Sequence, residues 1–306
     1  MNKAFIFPGQ ASQFVGMAAD LYEKYDLAKK HFEQANEIME MDLKSICFNG
    51  PEEELKKTFL TQPAIFVHSC ISAELLKEKG VKPVAVAGHS LGEYSALVAA
   101  DALDFASGLE LVKERSRLMF EAGQKNPGTM GAIIGLSNEQ VNEICDGLKD
   151  VGVVQPANYN SPGQIAISGD KGTVLKALDA AKEMGSRKAV ELVVSGAFHS
   201  PLMLDAQNGL AEALNKSEIK NIEIPLYTNV TAKPETDGEK IKQLLLKQLT
   251  SPVLWQDIVG QMVKDGNQNF IEVGPGKVLK GLLKRIDRDS SCDLCGTVDQ
   301  LESIGA

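Results

Sequence analysis

The stretch "VAVAGHSLGEYSALVAA", Val84 to Ala100, constrains the fold of this chain more than any other. Val84 to Ala87 is a short unbroken apolar run of the kind a buried strand needs, whereas Leu91, Tyr94, Ser95, Leu97 and Val98 recur at helical spacing. A strand must therefore turn into a helix at Ser90. Gly88 and Gly92 flank that serine at minus and plus two, the G-x-S-x-G spacing in which a sharp turn lifts a serine oxygen above a sheet. The turn also aims the first free helix N–H groups at whatever bonds to the serine, which suits a nucleophile whose substrate develops an oxyanion. Serine is also a favoured helix N-cap and glycine serves tight turns in general, so the pattern by itself does not decide between chemistry and capping.

Strands and helices alternate on both sides of this turn. Residues 1–124 begin with a strand at Lys3–Phe7 and continue with helical stretches at Leu21–Met39, Glu52–Lys57 and Pro63–Lys79. After the serine comes a helix from Phe105 to about Glu121. Such alternation predicts an α/β domain with a mainly parallel sheet covered on both faces. Over residues 125–195 the texture changes to β-α-β-β-α-β, with helices from Asn138 and over Lys171–Met184 and a last strand at Lys188–Val194. That order is ferredoxin-like and reads as an inserted α+β subdomain. Residues 196–306 return to the first domain, with helices near Pro201–Asn215, Gly238–Leu249, Val253–Lys264 and from Lys277, and strands "IPLYTNV" and "FIEVG".

Composition excludes several functions. The 306 residues are 43% hydrophobic and 24% charged, as in an ordinary soluble globular protein, and they are enough for a substantial core. A formal charge of −9 with no dense Lys/Arg segment argues against nucleic acid. The apolar Ala4–Phe7 is too short for a signal-peptide core and no run approaches a membrane span, so a cytoplasmic protein with no membrane partner is expected. Cys292 and Cys295 form one C-x-x-C without the second pair of ligands a structural zinc site wants, and the thiols read as reduced and structural. Neither metal nor cofactor is expected.

A serine nucleophile needs a base, and there are four histidines to choose from. His31 lies in a charged helix whose polar face explains it, and His68 sits among apolar residues as a core histidine. His89 directly precedes Ser90 and should point elsewhere, toward turn packing or substrate approach. His199, in "VVSGAFHSPLM", follows the last strand of the insert where the chain re-enters the main domain, a place where loops carry function. It is the expected base. Its third partner is less evident: Asp170 in "SGDKG" reads as a cap for the next helix, which favours a carbonyl or amide orienter over a carboxylate. Arg115 supplies another group. Its helical neighbours Leu111, Val112, Leu118 and Met119 are all apolar, so it points inward, whereas the neighbours of Arg117 are mostly charged. A buried guanidinium must be paired, by an internal acid, by snorkelling out, or by a carboxylate on the substrate.

With these residues in hand the chain resembles the malonyl-CoA:acyl-carrier-protein transacylases of fatty-acid synthesis. The likeness covers essentially the whole chain, through "FIFPGQASQFVGM", "GHSLGEYSAL", "ERSRLM", "NYNSPGQIAISG", "GAFHSPLM", "QLTSPVLW" and "EVGPGKVL" in order. It implies an α/β-hydrolase-like core carrying the ferredoxin-like subdomain. It implies Ser90 as the acylated nucleophile, His199 as its base and Arg115 as the clamp for the malonyl carboxylate. The backbone N–H groups of Gln10 and Leu91 are then the oxyanion hole, the Gln248 carbonyl orients His199, and Asn158 and Asn160 line the cleft between domains. The implied partners are malonyl-CoA and the phosphopantetheine thiol of acyl carrier protein, and the enzyme is expected to be a monomer. Phe198 departs from the smaller residue of many bacterial members and leaves little room for an α-branch, favouring malonyl over methylmalonyl. The carrier is itself expected to be acidic, so docking needs a local basic patch, for which Lys277, Lys280, Lys284, Arg285 and Arg288 are candidates. A serine esterase or a silent carrier-binding subunit are the rival readings.

Overall fold

The apolar run before Ser90 is a strand, Pro83–Gly88, and it lies parallel to the first strand, Lys3–Phe7, with Phe7 opposite Gly88. The structure, a computed structural model, describes residues 3–304. In chain order the elements begin β1 (Lys3–Phe7), α1 (Ala19–Lys24), α2 (Asp26–Met39), α3 (Leu43–Asn49), α4 (Glu52–Leu55), α5 (Thr58–Glu78) and β2 (Pro83–Gly88). Next come α6 (Gly92–Ala99), α7 (Phe105–Lys125), β3 (Thr129–Ile134), α8 (Asn138–Asp146), β4 (Val154–Ser161), β5 (Gln164–Gly169), α9 (Lys171–Glu183) and β6 (Lys188–Leu192). A 3₁₀ turn (Pro201–Met203) leads to α10 (Leu204–Lys216), β7 (Leu226–Tyr227), β8 (Pro234–Glu235), α11 (Gly238–Gln248) and α12 (Trp255–Lys264). The chain closes with β9 (Asn269–Val273), α13 (Val278–Ile286), β10 (Ser291–Cys295) and α14 (Val298–Ser303).

Six strands form one sheet in the order β10-β9-β1-β2-β7-β8, parallel except for β8. Phe5, Phe7 and Val86 face one core cluster while Ala4, Ile6, Ala85 and Ala87 face the other, so both faces are covered. The other four strands form an antiparallel sheet in the order β4-β5-β3-β6, with α8 and α9 on its own small core, which is the ferredoxin-like topology. Register in the large sheet positions the elbow. Phe7 pairs with Gly88 and Ala87 with Tyr227, so the loops after β1, β2 and β7 emerge side by side at the carboxyl end of that sheet.

Several expectations change. The helix read over Leu21–Met39 breaks at Tyr25, whose backbone is extended, into α1 and α2. Helix α5 starts at Thr58 and runs through Pro63, whose missing N–H costs one bond while seventeen of its side chains are buried. It is also long and apolar enough to cross a membrane, contrary to the expectation that no run approaches that length; 89% of its apolar window is buried inside the protein. Residue 253 does not open a helix. Val253 instead donates to the Ala157 carbonyl and accepts from Tyr159, stitching the end of β4 to the main domain, and α12 begins two residues on. Strand β10, which holds Cys292 and Cys295, and helices α3 and α14 were not foreseen. Three residues apart on one strand, the two thiols leave opposite faces, and burial pushes both up to about 12.

Candidate active site

Ser90 sits in the left-handed region, φ 51°, between β2 and α6. A non-glycine residue held there stores strain that its surroundings must offset. The flanking glycines allow the turn: a Cβ on Gly88 would lie 1.9 Å from the Gly92 carbonyl carbon, and one on Gly92 would lie 2.1 Å from the Phe7 carbonyl oxygen. Asn229, just after β7, fixes it from the other side. Its Oδ1 accepts from the Ser90 N–H at 2.7 Å and its Nδ2 donates to the Gly88 carbonyl at 2.6 Å.

His199 meets this serine. Ser90 Oγ lies 2.8 Å from His199 Nε2, and His199 Nδ1 lies 2.8 Å from the Gln248 carbonyl at the end of α11. A carbonyl can only accept, so Nδ1 carries the proton and Nε2 presents a lone pair to the serine hydroxyl. Burial, and next the charge of Arg115, lowers the imidazole to about 3, which keeps it neutral. The backbone here is also left-handed, φ 57°. Gln155 on β4 ties the loop down, its Nε2 donating to the carbonyls of His199 at 2.8 Å and Thr250 at 3.2 Å.

Arg115 enters from α7 on the inward stripe of Leu111, Val112, Ser116 and Met119, and is wholly buried. Its Nη2 donates to Ser90 Oγ at 3.0 Å and to Gln248 Oε1 at 2.8 Å, and its Nη1 donates to Gln62 Oε1 on α5. Among the described residues no carboxylate oxygen comes within 4.0 Å of it, and its Nε has no partner. The guanidinium keeps its charge although burial works against it. On the opposite side of the helix Arg117 is paired with Glu114 and Glu121.

The structure places the remaining sequence candidates as follows. Gln10 follows β1, and its side chain is within 3.5 Å of Thr58 and Gln62 on α5. Among the described residues neither the Gln10 nor the Leu91 N–H donates to a protein acceptor. Phe198 is 5% exposed and packs in the main core beside the His199 turn. Asn158 is buried in β4 and bridges Val253 through its backbone, whereas it is Asn160 that reaches the elbow, within 2.8 Å of His89 Nε2. His68 is a core histidine bonded to the Gly296 carbonyl, as its surroundings suggested. His31 is not on a solvated face. It is buried between α2 and α5, 3.0 Å from Glu74 and edge-on to Phe105. Asp170 does stand at the N-cap of α9, but its carboxylate accepts from the Val153 N–H at 2.6 Å and from no N–H of that helix.

Residues 4–300 match the acyl transferase domain family. The chain belongs to that family. This acyl transferase is 45% identical over 286 residues to the malonyl CoA-acyl carrier protein transacylase of Bacillus subtilis, covering 93% of this chain and 90% of that one. An acyl carrier protein S-malonyltransferase from Vibrio cholerae superposes with a TM-score of 0.95 at 42% identity, covering 99% of this chain and all of that one. The same score, at 40% identity, relates it to a malonyl-transacylase solved in complex with a type II polyketide-synthase acyl-carrier protein, with 99% and 98% covered.

Sequence reasoning missed four side chains of the acyl transferase site: Asn229, Gln155, Gln62 and Glu93. Glu93 had a signal. Its neighbours three and four residues on are Ala96 and Leu97, an apolar pair like the one on the same side of Arg115.

Proposed function

We propose that the chain transfers a malonyl group from malonyl-CoA to the phosphopantetheine thiol of an acyl carrier protein through an acyl-serine. The convergence of Ser90 Oγ with His199 Nε2 and Arg115 Nη2, at 2.8 and 3.0 Å, carries this proposal. Ser90 Oγ attacks the thioester carbonyl while its proton passes to Nε2. The tetrahedral oxyanion is held by the N–H groups of Leu91 and Gln10, which no protein acceptor occupies among the described residues. Collapse expels the coenzyme thiolate, which takes the proton from His199. The carrier thiol then repeats the sequence on the ester and restores Ser90.

Arg115 selects the acyl group. In malonate a single methylene separates carboxylate from thioester carbonyl, and the guanidinium lies one hydrogen bond from the attacking oxygen, so the short diacid reaches both. An acetyl group would leave that charge buried and unpaired, at a cost of about 1–3 kcal/mol. Phe198, fixed in the core beside His199, leaves little space for an α-branch. Residues 1–124 with 196–306 serve as the catalytic domain and 125–195 as the subdomain that closes over it, with Gln155 and Asn160 among its contacts. One chain supplies every group the steps use, which supports a monomer, and its five unpaired cysteines suit a reducing, cytoplasmic setting. The test is transfer from malonyl-, methylmalonyl- and acetyl-CoA to a purified phosphopantetheinylated carrier, with release of free acid followed alongside. Malonyl should move fastest and to the carrier; release mainly to water would make the chain a hydrolase instead.

A further inference from the structure

One buried acid at the site has no part in acyl transfer. Glu93 lies in the first turn of the helix that follows Ser90, yet it is 1% exposed, and both its oxygens are engaged. Oε1 accepts from the Asn229 N–H at 3.1 Å and Oε2 accepts from Nε2 of Gln248. The Gln248 amide can lie only one way. Its Nε2 faces two pure acceptors, Glu93 Oε2 and the Ser90 carbonyl at 3.0 Å, while its Oε1 faces a pure donor, Arg115 Nη2 at 2.8 Å. A half-turn of the amide would oppose donor to donor at the arginine and acceptor to acceptor at the carboxylate. Glu93 and the Ser90 carbonyl together thus hold the end of Gln248 that the guanidinium meets.

The same arrangement keeps the buried Glu93 carboxyl, which burial pushes up to about 7, one amide away from the guanidinium. Were Glu93 in direct contact with Arg115, the acid would fill the place a substrate carboxylate must take. Were there no acid at all, a desolvated cation would stand without any counter-charge. We propose that Glu93 is a positioning residue for the substrate carboxylate, acting through Gln248 to aim the Arg115 guanidinium while leaving its pairing to be completed by the ligand. This rests on Arg115 being the carboxylate anchor, so the two must be tested side by side.

Glu93→Gln keeps size and burial but offers one acceptor where two are needed. Acylation by malonyl-CoA and by acetyl-CoA is measured for the wild type, Glu93→Gln and Arg115→Ala, each checked for folding by circular dichroism. Glu93→Gln should raise KM for malonyl-CoA and lower the malonyl-to-acetyl preference by about tenfold, the loss expected of one charged hydrogen bond, with acetyl transfer changed about twofold or less. A wild-type preference, or an equal slowing of both substrates, would overturn the assignment. If Arg115→Ala also keeps the wild-type preference, the anchor itself is wrong and the role of Glu93 goes with it. If only Arg115→Ala loses it, the anchor stands and Glu93 is merely structural. Should Glu93→Gln not fold, Glu93→Asp carries the test: its shortened reach should lower the preference about threefold, and an unchanged ratio in the folded variant is equally decisive against it.

Discussion

At the scale of single residues, the proposed chemistry needs His199 to be an uncharged base. Burial and the neighbouring Arg115 lower its pKa to about 3 from the usual 6.5, so the lone pair on Nε2 persists as the pH falls and is lost only near the lower value. His68, buried against the Gly296 carbonyl, is lowered to about 4 for the first of these reasons. Nuclear magnetic resonance titration should therefore find both rings neutral down to about pH 5, whereas a ring protonating near 6.5 would show that the site is wetter than described. Stability carries the same sign. The unfolded chain binds these protons near 6.5 and the folded chain does not until about 3 to 4, so both groups erode stability as the pH falls through that window. Ser90, His199 and Arg115, which the structure brings within hydrogen-bond distance, each carry a local signal in the sequence: a motif, a junction and an inward face. Asn229 carries none: its neighbours in "YTNVT" say nothing of an elbow lying 139 residues earlier in the chain.

At the scale of elements, the turn from β2 into α6 is held by close approach of backbone to backbone. Gly92→Ala would drive a methyl to 2.1 Å from the Phe7 carbonyl and should cost about 1–3 kcal/mol or more. Gly281, inside α13, faces open space within 4 Å, so Gly281→Ala should instead stabilise by about 0.5–1 kcal/mol. Thermal unfolding of the pair checks this, and similar midpoints for the two variants would contradict it. Element types were mostly readable from periodicity, but where elements break was not. Tyr25 interrupts a stretch that reads as one helix, and Val253 leaves a helical pattern because pairing with Ala157 and Tyr159 satisfies its backbone better. His31 shows the same limit: a charged sequence suggested a solvated face, and only packing of α2 on α5 reveals that it is buried.

At the scale of the whole molecule, two sheets share one site. The large sheet brings the loops after β1, β2 and β7 together, and β4 of the small sheet reaches across through Gln155 to the His199 carbonyl and through Asn160 to His89. The two sheets could be read from the order of strands and helices; the contacts between them could not, since nothing local marks which polar side chain of β4 faces the elbow. In the proposed function both sheets serve one event, the esterification of Ser90 by a short diacid. Intact-mass measurement after mixing with malonyl-CoA, without any carrier protein, tests it most directly. The wild type should gain the mass of one malonyl group, mapped to the peptide containing Ser90, and folded Ser90→Ala should gain nothing. No adduct on folded wild-type protein, or an adduct that survives Ser90→Ala, would contradict an acyl-serine mechanism.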